Sequence, residues 1–157
     1  MPLDANVVAN TFISYGQRDM FSIEPMKLQK LLYLAHGWHL VFLKEALVSQ
    51  GIEAWKYGPV IPEVYREFKE FKGNPITRLA PIEAAFLQPS ETQNALLENV
   101  WRTYRDKTGI YLSMLTHERG SAWEMTRRDC SEWYSPVIPN ELIREEFVRR
   151  QLAAEAR

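Results

Sequence analysis

Of the three histidines in this chain, His36 and His39 stand three apart inside an apolar run. On a helix that spacing puts both imidazoles on one face, where they could begin a zinc site of three or four ligands. The remaining histidine, His117, is distant in sequence and has no metal-ligand spacing around it. A small metal-dependent enzyme using His36, His39 and His117 is therefore an alternative reading. The plainer reading buries one imidazole in a hydrogen bond and leaves the other at the surface. Cys130 and His117 could be drawn as nucleophile and base. However, no glycine-rich turn surrounds the cysteine, and its neighbours Asp129 and Glu132 would raise a thiol pKa. Glu145 and Glu146 read as salt-bridge partners of Arg149 and Arg150 on a solvated helix. No Walker loop, GxGxxG or GxSxG motif is present, so phosphate cradling and serine hydrolysis have no visible apparatus. No catalytic residue, cofactor or metal site is expected.

The densest set of unusual residues is at positions 52–65, IEAWKYGPVIPEVY. Two prolines restrict the backbone there around a glycine, and Trp55, Tyr57 and Tyr65 are presented from it. Rigid aromatics lose few rotors on binding. These rings either pin the turn onto a neighbouring helix or contact a partner, and both readings stay open.

The elements that must hold these residues follow from periodicity. Asp4 can cap a helix carrying Val8, Phe12 and Tyr15. Pro25 suits the first turn of the longest helix in the N-terminal half, with Leu28, Leu31, Leu32, Ala35, His39 and Phe42 on one face and Lys27, Gln29 and Lys30 on the opposite side. Residues 47–49 and 52–55 pattern as a hairpin turning at Gln50-Gly51, followed by a rigid turn over 57–62. Pro62 opens a helix whose face is Val64, Tyr65, Phe68 and Phe71. An irregular connector anchored by Ile76, Leu79 and Phe86 follows. Ser90 with Gln93, and Ser121 with Glu124, read as capping boxes, with a short helix over 111–116 between them. A last helix after Pro139 carries the apolar Ile143, Phe147 and Val148 and frays from Ala153. The expected fold class is mainly α: a compact bundle of about six or seven helices with one short β-hairpin.

The chain has 157 residues, a formal net charge of -1 and one cysteine. That length predicts a single domain over residues 1–157, with a core from about 5 to 150 and no need of a disulfide or metal staple. Charge is balanced on both sides of Pro75, and the Arg127-Arg128 and Arg149-Arg150 doublets sit beside acids. Nucleic acid is therefore an unfavoured partner. No stretch is long and apolar enough for a membrane span, and Met1-Pro2-Leu3-Asp4 does not resemble a signal peptide, so a cytoplasmic location is expected. The oligomeric state is left open.

Three blocks, KLQKLLYLAHGWHL at 27–40, IEAWKYGPVIPEVYREF at 52–68 and LTHERGSAWEMTR at 115–127, together resemble the Panacea antitoxin domain, also called SocA-like or GepA-like. The resemblance implies a mainly helical antitoxin from bacteria, prophages or phages that neutralises a cognate toxin by direct binding. Many such toxins stop translation. One family member instead hands its toxin to a AAA+ protease, so a proteolytic adaptor is a second implied function. Lys27, Gln29, Lys30 and Tyr33 match the first block, Trp55, Tyr57, Gly58, Pro59, Pro62 and Tyr65 the second, and His117 and Trp123 the third. Residues 44–46 and 49–51 depart from the usual pattern. From the matches and departures together, the expected scaffold is Gln29, Tyr33, Gly58, Pro59, Pro62, His117 and Trp123. The expected toxin contacts are Lys27, Lys30, Lys44, Glu45, Gln50, Trp55, Tyr57 and Tyr65.

Overall fold

Pro25 begins the helix around which the other elements are arranged. The computed structural model describes residues 1–128, 130–131 and 133–157, so the thiol effect read for Asp129 and Glu132 lies outside the described residues. Helix α1 spans Ala5–Asp19, with the Asp4 carboxylate accepting from the Asn6 N–H as its cap, and α2 spans Pro25–Phe42. A hairpin of β1 (Glu53–Trp55) and β2 (Gly58–Val60) leads into α3 (Pro62–Phe68) and a 3-10 turn. Helices α4 (Glu91–Tyr104), α5 (Gly109–Thr116), α6 (Ala122–Arg127) and α7 (Asn140–Glu155) complete the order. The described residues thus form seven α-helices and one two-stranded antiparallel sheet, a mainly α fold. None of the described helices is long and apolar enough to cross a membrane.

Helix α2 packs against α1, α3, α4, α5, α7 and β2. A helix surrounded in this way buries its polar side as well as its apolar one. Lys27, Gln29 and Lys30, expected opposite the apolar face, are accordingly buried. The core gathers Phe12, Leu28, Leu31, Leu32, Tyr33, Phe68, Trp101 and Phe147 into one cluster. Gly37 allows α7 to approach: a Cβ there would run into the Phe147 ring.

The hairpin turns at Lys56-Tyr57, with Trp55 opposite Gly58 and Glu53 opposite Val60, not at Gln50-Gly51. Val48 instead forms a parallel bridge with Leu3, and Glu53 an antiparallel bridge with Val137. The partners of this region come from both ends of the chain, which local turn signals do not reveal. Segment 58–60, expected as turn, is therefore strand. In the connector, Ile76 is buried but Leu79 is exposed. Ala80 serves as the anchor: its N–H donates to the Asn10 side chain at 2.7 Å and its carbonyl accepts from that amide at 2.9 Å.

Local signals were sufficient where the cap lies next to its helix. Ser90 and Gln93 form the complete capping box of α4. Ser121 accepts from the Glu124 N–H, but the Glu124 carboxylate accepts from Gly120, one residue before the cap. Helix α7 continues to Glu155, past the point of expected fraying.

Candidate functional site

The start of α2, the hairpin and α3 enclose an open groove of about 470 Å³. Its apolar wall comes from Met26, Leu28, Val60, Val64 and Phe68, and its aromatic rim from Trp55, Tyr57 and Tyr65. Trp55 and Tyr65 meet edge to face with centroids 4.9 Å apart, a favourable ring geometry. Trp55 is also fixed by its indole N–H, which donates to Glu53 Oε1 at 2.9 Å. Tyr57, at the hairpin tip, is 70% exposed. Trp55 and Tyr65 therefore pin each other at the rim of the groove, while Tyr57 projects from it.

The three sequence blocks converge behind this rim. Gln29 clasps the backbone of Ile61, accepting from its N–H at 2.9 Å and donating to its carbonyl at 3.2 Å. A side-chain amide thus occupies the place of a neighbouring strand just before α3, which Pro62 opens. Lys30 donates to the Pro59 carbonyl at 3.3 Å, and burial pulls its pKa down to about 8. Gly58 has φ 123°, and its missing side chain leaves room for the Lys30 ammonium and the His117 ring. His117 packs on Trp123 with centroids 4.1 Å apart, and its Nδ1–H donates to the Ser113 carbonyl at 2.5 Å. The Trp123 indole N–H donates to the Trp55 carbonyl at 2.6 Å, and Arg127 donates to the Ala54 carbonyl at 2.6 Å. Helices α5 and α6 therefore brace the hairpin from behind. Tyr33 lies deeper, donating to buried Glu146 at 2.7 Å, and burial raises its pKa well above the ordinary phenol value.

The expected contacts separate into distinct places. Trp55, Tyr57, Tyr65 and Lys30 line the groove. Lys27 is buried elsewhere, donating to the Arg105 carbonyl at the end of α4 at 2.5 Å. That position suits a lysine, because carbonyls at a helix end lack intrahelical donors. Lys44 and Glu45 are exposed, but with Gln50 they precede the hairpin and do not line the groove. Gln50 is held by the start of α1: it accepts from the Ala5 N–H at 2.9 Å and donates to Asp4 at 2.7 Å. Met26, Val64, Phe68, Lys72 and Ser135 line the groove without having been expected to. The apolar periodicity of α3 was visible, but period alone does not say that Val64 and Phe68 of its face wall a groove.

Both helical histidines are buried, whereas one was expected at the surface. His36 pairs with Asn140 Oδ1 at 2.9 Å, and His39 with the Glu45 carbonyl at 2.6 Å and the Gln93 amide at 3.3 Å. Burial lowers both pKa values. The described residues hold no group of three or more His, Cys, Asp or Glu placed to grip a metal ion. Cys130 donates to the Thr126 carbonyl at 3.1 Å. Glu146, expected on a solvated face, is buried among Tyr33, the Ala122 N–H and Arg150.

Comparison with known proteins gives the geometry a context. A family model described as "Antitoxin SocA-like, Panacea domain" matches residues 28–124. The protein named Antitoxin SocA, from Caulobacter vibrioides (strain NA1000 / CB15N), is 47% identical over 66 residues, which is 42% of this chain. The match spans 35% of that relative's length. No solved structure matches.

Proposed function

The chain belongs to the SocA-like antitoxin family with the Panacea domain, and from that premise we propose that it neutralises a cognate toxin by binding it directly at the groove beside the hairpin. The observation that carries this reading is the contrast within the aromatic rim. Trp55 and Tyr65 are held in place by each other, while Tyr57 stands 70% exposed at the tip. Fixed aromatics flanking a concave apolar surface are suited to be binding hot spots, because little side-chain entropy remains to be lost.

In this reading the toxin is a translation inhibitor, and the chain acts in the cytoplasm by occlusion, without catalysis of its own. The single core supports treating residues 1–157 as one domain. Lys27, Gln29, Tyr33, Pro59, His117 and Trp123 serve as scaffold, while Trp55, Tyr57 and Tyr65 make contact. Lys44, Glu45 and Gln50 lie outside the contact surface.

The test is co-expression with the protein encoded by the adjacent gene. Growth arrest by that protein alone, relieved by this chain and not by its Tyr57→Ala Tyr65→Ala variant, is the expected result. Arrest that the variant relieves equally well removes the groove from the mechanism. Toxin that persists longer in cells lacking a AAA+ protease would replace occlusion with delivery for degradation.

A further inference from the structure

Resting on the antitoxin reading, we propose that the groove receives an apolar segment of the partner protein bearing a carboxylate, and that this carboxylate pairs with Lys30. Charge is the argument. Lys30, Lys56 and Lys72 stand in the groove lining, and among the described residues no Asp or Glu does. Lys30 is only 2% exposed. Its ammonium has three N–H donors, yet among the described residues its acceptor is the Pro59 carbonyl, at the long distance of 3.3 Å. Among the described residues no carboxylate pairs with it, and burial is what shifts its protonation.

Among the described residues the cations at the mouth have no carboxylate partner either. Lys56 rests near the Tyr57 ring, 5.5 Å from its centroid. The Lys72 ammonium has no hydrogen bond or ion pair among the described residues. Glu53, two residues before Trp55, is occupied by that residue's indole N–H.

A buried ammonium lacking a counter-charge is expensive to hold. A partner carboxylate arriving in a water-poor apolar groove would supply the missing charge through a charge-assisted hydrogen bond. The groove volume, about 470 Å³, falls within the range of sites that take a few side chains or a small ligand. Apolar walls with a cation at depth select a segment in which a large apolar residue lies close to Asp or Glu.

The experiment pans a random hexapeptide phage library on the full chain, then resynthesises the best binders with Glu→Gln or Asp→Asn changes. Each pair is titrated against wild type and Lys30→Met, a variant that replaces the ammonium by an apolar group of similar length and whose folding is checked by thermal melting. Expected are binders that join an aromatic or aliphatic residue to an acid. Loss of the acid should weaken binding to wild type at least tenfold and to Lys30→Met less than twofold. The inference is overturned by the absence of groove-binding peptides, by binders without acids, or by equal loss on both proteins. Toxin neutralisation is scored separately. Acid-selective peptides with no toxin neutralised would fail the antitoxin reading alone, whereas full neutralisation by Lys30→Met would fail this inference alone.

Discussion

The Lys30 ammonium nitrogen lies 2.8 Å from the position that a Cβ on Gly58 would occupy. Helix α2 and the second hairpin strand therefore approach each other at a point where one has a charge and the other has no side chain. Any residue but glycine at 58 must displace the ammonium and also adopt φ 123°, in the region that disfavours L side chains. Gly58→Ala should destabilise the protein by about 2 kcal/mol, lowering Tm by about 4–8 °C for a chain of this size. An unchanged melting curve would show that the lysine and the turn relax without cost.

The same lysine sets a pH dependence. Its pKa is about 8 in the folded protein, below the value of about 10.4 for an unperturbed lysine. Between those values the unfolded chain binds more protons, so stability rises with pH across that window as the buried charge is lost. Lys30→Met removes this slope and should be as stable as wild type or more so at pH 7. Urea unfolding of both proteins from pH 7 to 10.5 gives the difference curve. A flat difference would mean the ammonium is not penalised by burial.

Tyr57 separates binding from folding. At 70% exposure, Tyr57→Ala should change stability by under about 0.5 kcal/mol. As a hot spot it should weaken toxin binding by at least about 2 kcal/mol, near thirtyfold. Calorimetric titration and thermal melting read the two effects independently. Wild-type affinity would put the contact surface elsewhere.

Gly37 is under a different constraint, since it lies within α2 and faces the Phe147 ring of α7. Ala is ordinarily the better helix former by about 1 kcal/mol, so any destabilisation of Gly37→Ala measures the close approach of the two helices. A net loss of about 2–3 kcal/mol is expected from overpacking. Phe147→Leu carries its own cavity cost but should make the added Gly37→Ala change nearly neutral. Additivity of the two changes in denaturant unfolding would contradict direct contact as the cause.

Elements defined by neighbouring residues were readable in advance: Asp4 before α1, Pro25 at α2, Pro62 at α3 and Ser90 with Gln93 at α4. The hairpin was misplaced because its region pairs with Leu3 and Val137, far away in the chain. The burial of Lys27 and Lys30 was equally hidden, because a lysine on the less apolar side of a helix normally faces solvent. Here five other helices and a strand surround that helix, so its polar side faces protein. Trp55, Tyr57 and Tyr65 were found from their concentration in a stiff segment. Their division into two anchored rings and one projecting ring needed the fold.

Both edges of the hairpin are already occupied. On one side the Ala54 N–H donates to the Pro136 carbonyl at 2.8 Å, and the Ile52 carbonyl accepts from the Ile138 N–H at 2.7 Å. On the other side Pro59 has no N–H to offer, and Lys30 and Gln29 take up its carbonyl and the Ile61 backbone. Neither edge is open to strand addition by a partner, the route that reads main chain and is largely indifferent to sequence. With the proposed contact at the groove, recognition would fall to side chains, and a substitution at the rim would exchange one partner for another without disturbing the backbone that displays it.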